Sequence, residues 1–217
     1  MTVTKIEPAG DTPAAGQMPG TRERILQAAI AEFAAKGFSG ARTEAIARTA
    51  ASNIRMIYHY FGNKEGLYVA VLEQVLDSLR ADELRLDFDH DSPLDGIRTV
   101  FDFIHGHFAA HPELMSLLSW ENLNHARYLQ HSSHIPERAS PVIALLARLL
   151  RRGAEAGQFR PGIDPLHLYV SMVSMAYFHK SNAYTLSRIF RRDLLDPAWQ
   201  REHKEQAQHM LFSFLAP

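Results

Sequence analysis

The stretch from Thr43 to Phe61 restricts the fold more than any other part of the chain. It holds two helical patterns joined by only three residues, Ala51-Ser52-Asn53. Helices shorter than about 12 residues are marginal on their own in water, so both must pack on something. Ile46, Ala47 and Ala50 give the first an inner side, and Ile57 and Phe61 do so for the second. The small residues Ala47, Ala50 and Ala51 let the two helices cross steeply and closely. Upstream, Ile25, Leu26, Ala29, Ile30 and Phe33 recur at helical spacing and form the apolar face of a longer supporting helix. Two short helices with a tight turn, backed by a longer one, make a helix-turn-helix.

Local punctuation agrees with this reading. Thr21 and Thr43 are expected as N-caps, with Glu23 placed to complement the first helix dipole. Gly37 stops the first helix, and Phe38 folds back on its face. Asn53 caps the second short helix, over 54–61, and Asn63 caps a helix running from 64 toward 86 with Leu67, Val71, Val75 and Leu79 on one face. Further helices are expected at 93–110, 112–128, 136–156, 164–190 and 197–215, several opened by Ser-Pro or Asp-Pro pairs. No strand alternation is present, so the fold class is all-α. The chain divides into an arm at 1–20 with the composition of disorder, a three-helix domain at 21–66, and a larger helical domain at 67–217, linked by the helix at 64–86.

Composition narrows the function. The apolar fraction of 46 % supports a sizeable core, and the absence of cysteine excludes disulfides and cysteine-ligated zinc. No apolar run approaches the roughly 20 residues of a membrane span, and residues 1–20 lack a secretory h-region, so a cytoplasmic protein with no membrane partner is expected. The net charge of −1 is unevenly spread. In 21–66, Arg22, Arg24, Lys36, Arg42, Arg48, Arg55 and Lys64 face only Glu23, Glu32, Glu44 and Glu65. A basic head on an acidic body suits a local attraction to nucleic acid. Neither a Gly-x-Ser-x-Gly nucleophile motif nor a phosphate-cradling glycine loop is present, so no enzyme is expected. His107 and His111 have the i, i+4 spacing of metal ligands, but Pro112 follows and no acid stands at ligand spacing in sequence, so neither a metal nor another cofactor is expected.

Residues 21–68 resemble the DNA-binding domain of the TetR family of regulators. The resemblance rests on Phe33, Gly37, Phe38, Thr43, Ile46, Ala47 and Ala50, then on Ile57-Tyr58-His59-Tyr60-Phe61 and on Asn63-Lys64-Glu65 with Leu67. The turn departs from the family's usual Gly-Val-Ser: Ala51 replaces glycine, which is mild where φ is negative, Ser52 replaces an apolar plug, and Asn53 replaces an equivalent cap. Gly66 stands where a charged helix former is common.

The resemblance implies a DNA-binding regulator, commonly a repressor, whose C-terminal antiparallel helical domain dimerises through its last two helices and binds a small-molecule effector. A recognition helix places its N-terminal part in the major groove. The candidates at the DNA are Asn53, Ile54, Arg55, Met56, Tyr58 and His59, with Thr43, Tyr60 and Lys64 at positions that resemble the family's phosphate contacts. Arg55 suits a bidentate contact with guanine, and Ile54 and Met56 suit thymine methyls. A short helix reads few base pairs, so a homodimer on a palindromic double-stranded operator is expected. Mixed apolar and hydrogen-bonding side chains mark Trp120, Asn124, Tyr128, Met172, Phe178 and Asn182 as candidate effector contacts. The competing reading is a small-molecule-binding helical protein whose helix-turn-helix is vestigial or binds a protein.

Overall fold

A computed structural model describes residues 20–86, 92–132, 134–137 and 141–217. The arm expected at 1–20 lies, apart from Gly20, outside the described residues, as does most of the acidic stretch before Pro93. Among the described residues the chain is helical, without strands.

The N-terminal head consists of α1 (Thr21–Gly40), α2 (Thr43–Thr49) and α3 (Ile54–Phe61). The body follows as α4 (Lys64–Leu84), α5 (Pro93–Ala110), α6 (Pro112–Leu123), a 3-10 turn (Leu129–His131), α7 (His134–Glu137), α8 (Pro141–Glu155), α9 (Pro165–Ser181), α10 (Ala183–Phe190) and α11 (Pro197–Leu215). Within the head, Ile25, Ala29, Phe33, Ile46 and Ile57 are fully buried, as the apolar spacing requires.

Capping follows the sequence in part. Asn53 accepts from Met56 N at 3.0 Å and Asn63 from Gly66 N at 2.8 Å. Ser92, Asp164 and Asp196 cap α5, α9 and α11. Thr21 and Thr43 do not cap: each is the first helical residue, and Gly20 and Arg42 hold the cap positions without a side-chain bond. The helix expected at 164–190 breaks at Asn182, the one at 112–128 stops at Leu123, and the one at 136–156 is matched by the end of α7 and by α8, with 138–140 outside the described residues.

Head and body meet along α1. It packs on α2 and α4 on one side and on α6 on another. Under Phe33 sits an aromatic cluster of Phe38, Tyr68 and Tyr128, with ring centroids 4.3–6.4 Å apart. Glu121, 3 % exposed, closes the chain after α6 by accepting from Tyr128 N and Leu129 N at 3.2 and 3.0 Å. At the far end of α4, buried Glu83 binds the Arg80 guanidinium at 2.7 and 2.8 Å and accepts from Tyr169 of α9 at 3.3 Å.

Candidate DNA interface and effector cavity

The second short helix presents a polar, aromatic outer face. Ile57 fixes α3 to the core, while Arg55, Tyr58, His59 and Tyr60 are exposed. His59 and Tyr60 make an edge contact at 5.1 Å. Exposed Arg48 lines an open groove with Asn53, Ile54 and Arg55, and Arg42 is exposed at the start of α2; neither is among the candidates at the DNA. Their signal was available in the basic excess of the head, but no spacing distinguished them.

Several candidates sit differently from expectation. Ile54 and Met56 are half-buried and pack against the core, so only part of each is open for a thymine methyl. Thr43 is 7 % exposed at the first turn of α2. Lys64 is half-buried: it donates to Ala41 O at 2.6 Å and lies 4.9 Å over the Phe38 ring, and so ties α4 to the α1–α2 connection. An ammonium has three donors, which leaves two for phosphate. Asn53 is exposed and spends its side-chain oxygen on the cap.

The turn carries strain. Ala51 has φ 47°, in the left-handed region, so a methyl stands where the backbone favours glycine. The condition under which this replacement would be mild is not met. Beside it, Ser52 buries its hydroxyl without a hydrogen-bond partner, the cost of a polar side chain in the place of an apolar plug. Gly66, by contrast, fits: a Cβ there would lie 2.2 Å from Phe61 O.

A cavity of about 660 Å³ opens between head and body. Ala34 and Ala35 of α1 form one wall, and Phe108, Met115, Ser119 and Trp120 another. Its polar end holds Lys180 and Gln200. Of the candidate effector contacts only Trp120 lines it. Asn124 is exposed and bonded to Trp120 O at 2.7 Å, Tyr128 belongs to the aromatic cluster, and Met172 is fully buried. Phe178 is exposed, and Asn182 donates to Phe178 O at 3.0 Å.

Lys180 is the chemical centre of that end. Its ammonium lies 3.1 Å from each of His105 Nε2, His179 Nε2 and Gln200 Oε1, with no carboxylate among these partners. Burial, then the neighbouring Lys204 charge, pulls its pKa down to about 8, so it stays largely protonated at neutral pH. Burial and the Lys180 charge hold His179 down to about 4 and His105 down to about 3, so both rings are neutral. His179 Nδ1 lies 3.1 Å from Met175 O, and its Nε2 lies 3.0 Å from Gln200 Oε1 and 3.1 Å from Lys180 Nζ, so the neutral ring can donate to only one of the two oxygens.

Elsewhere, the acid that sequence spacing did not supply to His107 and His111 comes from another helix. Asp82 Oδ2 of α4 lies 3.7 Å from His107 Nδ1. His107 is buried, and burial followed by the neighbouring His111 pushes its pKa below the ordinary value. At neutral pH the contact is therefore not an ion pair.

The sequence profile described as "Bacterial regulatory proteins, tetR family" matches residues 25–71, and that of "Tetracyclin repressor-like, C-terminal domain" matches residues 93–211. The chain is 36 % identical to the HTH-type transcriptional repressor NicS of Pseudomonas putida, over 84 % of this chain and 86 % of that protein. It is 35 % identical to an HTH-type transcriptional repressor of Streptomyces coelicolor, over 72 % of this chain and 76 % of the relative. Among solved structures, a transcriptional regulator of Streptomyces coelicolor superposes with a TM-score of 0.66 at 25 % identity, covering 88 % of this chain and 98 % of the other. The hemolysin II transcriptional regulator HlyIIR shares the fold, with a TM-score of 0.58 at 21 % identity over 91 % of this chain and 97 % of its own. Among the described residues no helix is long and apolar enough to cross a membrane. The protein is a DNA-binding transcription regulator rather than an enzyme, and it belongs to the TetR family.

Proposed function

We propose that the protein is a homodimeric repressor that reads a palindromic operator through α3 and is released from it by a small molecule. One observation carries the DNA role: a helix held by buried Ile57 and capped by Asn53 presents Arg55, Tyr58, His59 and Tyr60 together on its exposed side. Arg55 is the base-reading residue in this account, and Lys64, with Tyr60 and Thr43, fixes register on phosphates.

Dimerisation is supported by apolar side chains on the last helices. Val170, Phe178, Tyr184, Ile189, Phe190, Met210 and Phe214 are 48–78 % exposed on α9, α10 and α11. That density of exposed apolar side chains suits a surface covered by a second copy.

The effector site in this proposal is the cavity shared by head and body. A ligand there touches α1 directly, so its binding energy depends on how the head sits, which is what a release mechanism requires. Its lining suits an effector with an apolar body and a group that meets Lys180.

The test compares Arg55→Ala with Lys64→Ala on duplexes enriched by the unaltered protein. Arg55→Ala is expected to relax preference at one base position, and Lys64→Ala to weaken all sequences about equally. Equal loss on every sequence in both variants would refute these assignments.

A further inference from the structure

Where the end of α4 meets the end of α5, three potential metal ligands converge from two helices. Asp82 comes from α4. His107 stands one turn before His111, which closes α5. One ligand atom from each lies within 4.8 Å of the other two, and the two imidazole rings are 4.3 Å apart at a tilt of 32°.

His107 marks this as more than a chance meeting of polar side chains. Its side chain is 4 % exposed, with Asp82 Oδ2 3.7 Å from Nδ1 and the ring bordering a recess. A ring set between a carboxylate, a second imidazole and an open recess is placed to share an ion with both.

The surroundings fit as well. His111 Nδ1 is 3.0 Å from Glu113 Oε1, a carboxylate–histidine pairing that orients the ring and leaves Nε2 as its ligand atom. A recess of about 380 Å³, lined by Gln27, Gln74, His107, His111 and Glu113, adjoins the cluster and gives an ion and its water access.

We propose that Asp82, His107 and His111 form a binding site for one divalent transition metal ion of the zinc–nickel class. Two imidazoles and a carboxylate suit these borderline metals, whereas calcium and magnesium favour an all-oxygen shell. Bonds of about 2.0–2.2 Å require the three ligand atoms to draw in from their present spacing, a movement that side-chain rotation supplies. Water, reaching the ion from the recess, completes the fourth position. Such an ion pins the last turn of α4 to α5, beside Gln27 of the head. The site stands apart from the Lys180 cavity and does not depend on the operator reading.

The experiment strips the full-length protein with a chelator and titrates Zn2+ alone against a chromophoric competitor. One tight equivalent per chain is expected. His111→Ala and Asp82→Asn should each weaken it by about 100-fold or more, and Glu113→Gln by roughly 10-fold to 100-fold. Asp82→Asn keeps the side chain's shape, so circular dichroism should show an unchanged fold. Ni2+ should compete, and Mg2+ should not. Zinc binding that is weak, or tight but unaltered in the folded Asp82→Asn and His111→Ala proteins, would overturn the proposal and assign binding to other histidines among the twelve.

Discussion

Trp120 covers Gly37 at the joint between head and body: a Cβ on Gly37 would lie 2.8 Å from the indole, and the indole N–H donates to Ala34 O at 3.4 Å. Gly37 has φ 65° and ψ 179°, a backbone essentially reserved for glycine. Gly37→Ala therefore combines backbone strain with a clash against a large side chain, and should cost about 2–4 kcal/mol. Thermal unfolding measures it. An unchanged midpoint would mean that the joint yields freely, contrary to the close packing of Trp120 on Gly37.

The same geometry makes Trp120 both a wall of the cavity and a contact of the DNA-binding head. This is the physical link on which the release mechanism rests. A ligand that displaces the indole must also disturb α1.

The turn of the head is less stable than it need be. Ala51→Gly should stabilise the protein by about 1 kcal/mol, because the left-handed conformation costs alanine more than glycine. Ser52→Ala should contribute a similar gain of about 1 kcal/mol by removing a buried hydroxyl that has no partner. The two positions are neighbours, so the double variant need not show the sum. Chemical denaturation of the three variants checks this. A loss of stability in Ala51→Gly would contradict the left-handed assignment.

Glu83 is expected to be intolerant. It is 3 % exposed and holds both the Arg80 guanidinium and the Tyr169 hydroxyl. Glu83→Ala leaves a partly buried cation without its partner and should cost about 3 kcal/mol. Glu83→Gln, which keeps the shape and loses the charge, should fall between. A cost under about 0.5 kcal/mol for Glu83→Ala, the range of an ordinary surface substitution, would contradict the account.

Acidification should destabilise the body through His105 and His179. Their pKa values, about 3 and about 4 in the folded protein, lie below the ordinary 6.5. Between those values the unfolded chain binds protons that the native state does not. Stability is thus fully present above about 6.5 and is lost as pH falls toward about 4. The groups facing these rings are Lys180, His203, Lys204 and Gln200, with Asp102 paired to Lys204 at 2.6 Å. The unfolding midpoint should drop between pH 7 and pH 5, and the drop should be shallower in His179→Asn. An equal drop in the variant would remove His179 from the explanation.

What was legible in the sequence was local. Asn53 and Asn63 announce their caps, Gly37 announces a break that the structure shows as a kink within α1 rather than its end, and the spacing of Ile25, Ala29 and Phe33 gives the buried face of α1, because each depends on residues within a few positions. What was not legible depends on distant partners. Nothing near Trp120 says that it will lie on Gly37, and nothing near His107 says that Asp82 will reach it from α4. The break at Asn182 was hidden because apolar and aromatic residues continue on both sides of it. Tyr128 and Met172 look like pocket residues by composition, but packing makes both core.

The measurement that bears most directly on the central claim is selection from random duplex DNA by the purified protein, sequenced and repeated at low and high salt. The account predicts enrichment of a palindrome whose half-sites are about one helical turn apart or a little more, retained at low salt and lost at high salt as counterion release weakens. A folded dimer that enriches no sequence at any salt would contradict it, and would leave α3 without an operator to read.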